Sequence, residues 1–447
     1  YVRLNDGSRV ETDMVLLSVG VRPTLQLAKD ANLELGKSGA LLVDEYLRTS
    51  DPCIYAAGDM VEITHTVSGS KVRMPLAGPA NRQGRIAATN ALGGSQPYKG
   101  SVGSSIVKVF EAVAGSTGLS LKAAKDAGFD ADAVVVHKAS HTAYYPGSQK
   151  VSMTLVWDKK TKKVLGAQVA GRVGVDKRID VIATAIAGGL TIEHLSEMDF
   201  AYAPPFDSPN GPVNMAGFTA VNHDIGFSPS ILAQDFEKFV LEQSPIAIDL
   251  RDPISFSKAN LRGSNNLSQN IIKENLEKIP KDSTIVLISE DGQKGHVVLR
   301  MLKGFGFEKV FNLSGGYISL ERHARAVGFT HLQVGLFAIE HKTVHDNREE
   351  TIQSKAEEIP SETDGHGSII LDVRTPMEFA MGAYPNAINV GLDDLTQWAE
   401  TIVDKNREII LYCASGARSS YGVRVLKQKG FTNVENGGGL HDMMARR

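Results

Sequence analysis

Cys413 stands in the stretch "ILYCASGARSSYGV", between an apolar run and a helical pattern. That setting changes what a thiol can do. The run reads as a strand ending at Tyr412, with a helix beginning near Ser420. The loop between them can turn its backbone N–H groups, and the positive end of a helix dipole, toward the sulfur. Gly416 permits the turn and Arg418 adds a fixed cation. Each feature favours thiolate over thiol, and the same cradle suits a terminal persulfide, which is also anionic. A buried structural cysteine beside a chance glycine would carry the same letters, because free cysteine is often buried.

An upstream stretch, "VLISEDGQKGHVVL", repeats the pattern with Ser289 in the cysteine position. The repetition extends well beyond the loop. "AIDLRDPISF" precedes the serine and "ILDVRTPMEF" the cysteine, and "KVFNLSGG" and "NVENGGG" follow them. Strand, helix, strand, loop and helix recur in one order, as parallel α/β units require.

The cysteine copy resembles a rhodanese (sulfurtransferase) domain in "LDVRTPMEF", "PNAINV" and "CASGARS". The resemblance implies that Cys413 carries sulfur as a persulfide, held by Arg418 and a loop made of Ala414, Ser415, Gly416, Ala417 and Ser419. It also implies that Asp372 anchors the loop region and that Arg374 and Glu378 form a structural ion pair. "GAYPNA" departs from the family's usual Gly-His-Ile-Pro-Gly-Ala at the rim. The serine copy resembles the same family but cannot form a persulfide, and Glu290 and Asp291 add negative charge. It reads as an inactive fold kept for packing or partner contact, with chemistry at Ser289 as the alternative.

These loops need scaffolds, and 447 residues suffice for several. With 42% hydrophobic and 22% charged residues, the chain can bury real cores. A net charge of −3 argues against nucleic acid, and no apolar run is long enough to span a membrane. Two cysteines, Cys53 and Cys413, form neither a disulfide framework nor a zinc site, which favours a reducing, cytoplasmic setting. Cys53 has no matched partner and reads as structural. The expected fold is multidomain α/β and α+β. Its parts are a partial FAD/NAD(P)-binding region over 1–100, an α+β dimerisation domain over 101–218 and two α/β rhodanese-like domains over 228–330 and 340–447. Between the copies, "HKTVHDNREETIQSKAEEIPSETDGHG" reads as a linker with an exposed helix.

In the first region, "IYAAGD" is a short strand delivering a small, glycine-containing turn. A ligand can approach its backbone, and Asp59 can accept hydrogen bonds from sugar-like hydroxyls. "SVGVRPT" reads as another strand end, and "PLAGPANRQGRIAATNALGG" enters a helix whose N-terminus could face an electron-rich ring edge. Each alone could be turn chemistry, but their order is specific. Over about residues 1–218 the chain resembles the C-terminal half of the pyridine nucleotide–disulfide oxidoreductases, in particular the coenzyme A-disulfide and persulfide reductase branch. That resemblance implies that Gly58 and Asp59 contact FAD, and that Leu76 and Ala77 lie near the flavin ring. It implies that Tyr145 and Tyr202, with Tyr144 beside the first, reach the active site of a partner subunit. On the residues alone, interface tyrosines are the simpler reading.

No G-x-G-x-x-G occurs, and the chain starts as if within a domain. The expectation is therefore a fragment whose FAD-binding N-terminus, redox cysteine and most of the NAD(P)H site lie upstream, and which binds FAD poorly. The implied function is reduction of CoA disulfide, CoA persulfide or polysulfide by a homodimeric flavoenzyme, with thiosulfate a further sulfur substrate. The alternatives are an NADH oxidase or peroxidase, a sulfurtransferase with a degenerate flavoprotein part, and a non-enzymatic scaffold.

Overall fold

Short hairpins and turns, rather than a sheet, organise the first segment. The structure is a computed structural model that describes residues 1–327, 368–374, 378–379, 382–392, 394–414 and 416–445. The chain divides into two units, Tyr1–Ile339 and Glu340–Arg447. The expected linker over 341–367 lies outside the described residues. In the first segment, β1 (Val2–Arg3) pairs with β2 (Arg9–Val10), and β3 (Glu62–Thr64) with β4 (Lys71–Arg73). Helix α1 (Gln26–Asp30) and helix α2 (Ala77–Ala91) complete it, with Leu41, Leu47, Val61, Ile63 and Ile86 in its core.

Two expected strands do not form there. "SVGVRPT", expected to end a strand, has no strand pairing, and its Val19 and Val21 are exposed. "IYAAGD" pairs only through a single bridge between Arg48 and Tyr55. The reason is partnership: a strand needs neighbours for its N–H and C=O groups, and none of the described residues runs beside either stretch as a strand.

The next segment is an antiparallel sheet of β5 (Ser105–Val109), β6 (Ala112–Gly118), β7 (Ala131–Ala139), β8 (Lys150–Asp158) and β9 (Val164–Gly171). Its order is β5-β6-β9-β8-β7, so β7 is an edge. Alternation assigns its faces. Val134, Val136, Val151, Met153, Leu155 and Val169 pack against α4 (Val175–Ala187), α5 (Ile192–Glu197) and α6 (Pro212–Asp224). The opposite face carries a cross-strand row of Ser105, Ser116, Gln168, Thr154 and Val135. Helix α3 (Leu121–Asp126) lies at one end, capped by the Ser120 hydroxyl.

Each repeat copy is a parallel sheet. In the first, β10 (Ser230–Ile231), β11 (Ile246–Asp249), β12 (Asn265–Asn266), β13 (Ile285–Ile288) and β14 (Val310–Leu313) take the order β10-β14-β13-β11-β12. Its helices are α7 (Ala233–Gln243), α8 (Pro253–Lys258), α9 (Gln269–Glu274), α10 (Gln293–Gly304) and α11 (Gly316–Val327). In the second, β15 (Ile369–Asp372), β16 (Ile388–Asn389), β17 (Ile409–Cys413) and β18 (Val434–Gly439) run β16-β15-β17-β18. Continuous apolar runs such as "TIVLI" and "EIILYC" suit strands buried on both faces, and β11 and β13 are buried along their whole length.

Both copies share one internal clamp. Arg251 grips Asp249 through Nε at 3.0 and 3.1 Å and Nη2 at 2.7 Å. Arg374 grips Asp372 at 2.9, 3.0 and 2.6 Å. The amides of Asn266 and Asn389 each donate to the two backbone carbonyls of their own clamp. Burial works against the charge on Arg251, yet the Asp249 carboxylate outweighs it and holds the guanidinium above its ordinary range.

The first copy docks on the edge strand β7. Val135 N–H donates to Ser314 Oγ at 2.8 Å, so a side chain takes up an edge donor that the sheet leaves open. His137 bridges Ser152 and Ser319, each at 2.8 Å. Arg322 donates to Ser152 at 2.8 Å, and Lys138 to Gln293 at 3.2 Å. Among the described residues no helix is long and apolar enough to cross a membrane.

Breaking a buried pair strands a charge, so Arg251→Ala should destabilise the first copy by about 3–5 kcal/mol. Hydrogen exchange at the amides of β11 and β13 measures it, and unchanged protection would contradict the clamp's role. Burial, with Arg322 and Lys150 adding to it, lowers His137 to about 4. A base with a depressed folded pKa stabilises fully above its unfolded value and loses that contribution as pH falls toward the folded one. The window is therefore roughly pH 6.5 down to 4, and the loss is about 3 kcal/mol. Urea unfolding across that range should show it, and His137→Gln should flatten the profile relative to the parent.

Candidate functional site

Strand β17 delivers Cys413, and its sulfur is fully buried, with 0% of the residue exposed. Gly416 takes φ +87° and caps the helix Ala417–Gln428, which starts earlier than the expected Ser420. Its N–H donates to the Cys413 sulfur at 3.1 Å, and the Ser419 hydroxyl donates at 3.6 Å. A backbone N–H and a hydroxyl thus converge on the sulfur from the first helical turn. Ala414 is exposed beside it, Ala417 opens the helix, and Ser415 lies outside the described residues.

Arg418 is paired differently from the expectation. Its guanidinium is bidentate to Glu378, at 2.8 and 2.6 Å. Those hydrogen bonds raise it above its ordinary range against the effect of burial, with Cys413 adding in the same direction. The expected Arg374–Glu378 pair is absent because Arg374 is already taken by Asp372. Asp372 therefore anchors the loop indirectly. It is in register with Tyr412, the residue before the cysteine. The Tyr412 hydroxyl, pushed up to about 12 by burial and then by Asp372, accepts from Tyr384 N–H at 2.9 Å.

The sequence did not single out Asn436. Its amide donates to Gly416 O at 3.3 Å and to Ser420 Oγ at 2.6 Å, fixing the turn from β18. The signal was present in the repeat, where Asn312 donates to Gly292 O at 2.9 Å in the first copy.

In that first copy Ser289 Oγ occupies the cradle, accepting from Gly292 N and Gly295 N, each at 3.1 Å. The start of α11 closes over the loop, where Tyr317 N donates to Ser289 O and Ile318 N to Glu290 O. A Cβ on Gly316 would meet Ser289 O at 2.2 Å, so no methyl fits between them. Gln293, Ser314 and Ser319 surround this loop and are the residues docked on β7. The serine loop therefore faces an internal interface.

The other site residues lie in the first unit. Gly58, at φ +87°, donates its N–H to the buried Gln83 side chain at 2.7 Å, which ties the Gly58–Asp59 turn to α2. Asp59 is exposed, Leu76 is the N-cap of α2 and Ala77 its first residue. No side chain caps that helix, so its first N–H groups stay open beside the turn. The turn and the first part of α2 are thus neighbours, joined through Gly58 and Gln83. Cys53, expected to be structural, is exposed; its backbone N–H, donating to Asp51 at 2.8 Å, is the part that holds the turn.

Tyr144, Tyr145 and Tyr202 are exposed on two loops joined by Asp207. Thr142 N and Oγ1 donate to Asp207 O at 3.1 and 2.9 Å. The Asp207 carboxylate accepts from buried Arg178 at 3.0 Å and from Lys177 at 2.7 Å. Arg178 also donates to Ser140 O at 2.6 Å. Sequence reasoning named the tyrosines and missed the clamp beneath their loops. Among the described residues no group of three His, Cys, Asp or Glu side chains is placed to hold a metal.

Residues 1–84 match the pyridine nucleotide-disulphide oxidoreductase family, and 104–210 match that family's dimerisation domain. Residues 232–322 and 355–441 match the rhodanese-like domain. The NAD(P)H sulfur oxidoreductase (CoA-dependent) of Pyrococcus furiosus is 34% identical, over 45% of this chain and 46% of its own. The coenzyme A disulfide reductase of Staphylococcus epidermidis is 33% identical, over 49% and 50%. The chain thus spans about half the length of the curated relatives it matches. Among solved structures, reduced Bacillus anthracis CoADR-RHD is 39% identical with a TM-score of 0.69, covering 72% of this chain and 58% of that one. The NAD-dependent persulfide reductase of A. fulgidus is 36% identical with a TM-score of 0.64, covering 70% and 57%.

Asp207→Ala should strand the buried Arg178 guanidinium and cost about 3 kcal/mol or more. Cleavage by a protease within the 201–211 loop should quicken in the variant. An unchanged cleavage rate would mean that the two tyrosine loops are held by something other than Asp207.

Proposed function

We propose, for a chain that joins part of a pyridine nucleotide-disulphide oxidoreductase to two rhodanese-like domains, that it carries sulfur on Cys413 within an FAD-dependent NAD(P)H oxidoreductase. The substrates would be coenzyme A persulfide, coenzyme A disulfide or polysulfide, and the setting cytoplasmic, in keeping with a chain that carries only two cysteines. The observation that carries this reading is the convergence of Gly416 N–H and Ser419 Oγ on the Cys413 sulfur.

The transfer step balances without an outside oxidant. The Cys413 thiolate attacks the sulfane sulfur of a persulfide, polysulfide or thiosulfate. The donor's S–S bond breaks, and its remaining thiolate or sulfite leaves with the electron pair. The sulfane atom stays as a persulfide whose negative charge is held by the loop N–H groups. A fully enclosed sulfur favours slim donors over a bulky disulfide, so coenzyme A disulfide belongs to the redox part of the reading.

FAD, when bound, supplies two-electron transfer between a nicotinamide and a sulfur substrate. Toward it this chain offers the Gly58 turn, the exposed Asp59 carboxylate and the uncapped start of α2 at Leu76 and Ala77. Tyr145 and Tyr202 would present phenols to a sulfur leaving group and flat rings to a pantetheine arm. A homodimer, formed through the dimerisation domain, would bring them to the partner's site. A sulfurtransferase acting alone is the second reading. It is favoured by a sulfur loop held by neighbours of its own fold, Gly416, Ser419 and Asn436.

Incubating the reduced chain with polysulfide or thiosulfate and measuring its intact mass tests the carrier role. One added sulfur atom that a thiol reductant removes, and that Cys413→Ser lacks, is the expected result. No adduct on folded protein would overturn it. Bound flavin with NAD(P)H-dependent disulfide or persulfide reduction by the gene's product separates the first reading from the second.

A further inference from the structure

Between the polar face of the antiparallel sheet and the first repeat copy lies a cavity of about 770 Å³. Its volume falls within the range of about 300–1,000 Å³ that small-molecule sites occupy. It shares no residue with the sulfur loop or with the Gly58 turn.

The lining is cationic. Lys122 and Lys125 reach it from α3, and Arg322 and His323 from α11. Asp126 is the one carboxylate among the lining residues, and it pairs with Lys122 at 2.5 Å. The charges of Lys125 and Arg322 therefore remain in surplus. Arg322 is fixed by its hydrogen bond to Ser152, which spends one of its five N–H donors. Helix α7 opens on the same space at Ala233 and Gln234 with no side-chain cap, adding the positive end of an eleven-residue helix.

The floor is polar but not charged. Thr154 and Gln168 stand side by side in the cross-strand row, with a hydroxyl and a carboxamide able to donate and accept. His137 is kept neutral there by burial and by the field of Arg322 and Lys150. Leu121, Val135 and Leu232 supply apolar wall. A bare inorganic anion would satisfy the cations and leave most of the volume and the floor unused. A phosphate ester attached to a flat, hydrogen-bonding body would use all three.

We propose that this cavity binds a phosphorylated small molecule of nucleotide size, with its phosphates at Lys125 and Arg322 and its body over Thr154 and Gln168. The ligand would bridge the dimerisation sheet and the cysteine-less copy, so its binding would tighten their docking. The proposal does not depend on sulfur transfer at Cys413.

Calorimetric titration of the full chain with ADP and, separately, with pyrophosphate tests it. ADP should bind more tightly than pyrophosphate, and Lys125→Glu should weaken ADP by about tenfold or more. Thr154→Trp, which fills the floor without changing charge, should weaken ADP and spare pyrophosphate. Lys29→Glu, an equal charge change on α1, should do neither. Absence of ADP binding at millimolar concentration would overturn the site, and so would binding indifferent to both Lys125→Glu and Thr154→Trp. Pyrophosphate binding as tightly as ADP would overturn the nucleotide-sized body.

Discussion

A carboxylate buried at the end of a parallel strand must find a partner in a low-dielectric surround, and this chain solves that problem twice in the same way. Asp249 and Asp372 are fully buried, and each is gripped by the arginine two residues on. Each arginine also donates to a carbonyl of the following segment, Ala259 O or Gly382 O, at 2.7 Å. Such a pair adds little net stability, but its geometry is unforgiving once the charges are desolvated. It therefore fixes direction. Asp249 is in register with Ile288 and Asp372 with Tyr412, and those residues immediately precede Ser289 and Cys413. The clamp sets where the loop begins, and everything proposed for the sulfur follows from that placement.

The same frame holds two different atoms. At Cys413 the partners of the sulfur include a backbone N–H and a hydroxyl, and Arg418, which Glu378 steadies, acts on it as well. At Ser289 a shorter-reaching oxygen meets two backbone N–H groups. The cradle is therefore alike around sulfur and around oxygen. The residues flanking the serine loop are spent on β7, where they satisfy an edge strand that would otherwise present open hydrogen-bonding groups.

Much of this was legible in the sequence because it is local. Apolar runs on both copies announced buried parallel strands, while Asn312 and Asn436, equivalent in the two copies, were not singled out because an asparagine has many ordinary roles. Gly416 and Gly58 were recognisable as turn residues, and both take positive φ. The misses share one cause, which is competition from partners that local spacing does not show. Arg374 and Glu378 are four apart and look paired, but the strand holds Asp372 alongside the Arg374 guanidinium and leaves Glu378 for Arg418. "SVGVRPT" ends no strand because it has no described neighbour to pair with. The Asp207–Arg178 clamp and the His137–Ser319 bridge join distant segments, so no local pattern signals them.

That docking gives a physical reason for a hydroxyl rather than a thiol in the first copy. A Cβ on Gly315 would sit 2.9 Å from His137 Nε2 and 3.0 Å from a Val135 methyl, so β7 presses directly on the turn beside the serine loop. A cysteine at 289 would inherit two N–H donors but face packed protein rather than a donor molecule. Selection on sulfur transfer would then have nothing to act on there, whereas selection on covering β7 would keep Ser314, Ser319 and the fold that presents them. A hydroxyl is the conservative replacement in that situation. It keeps both loop N–H groups satisfied and removes an oxidisable atom from an interface that has no use for it.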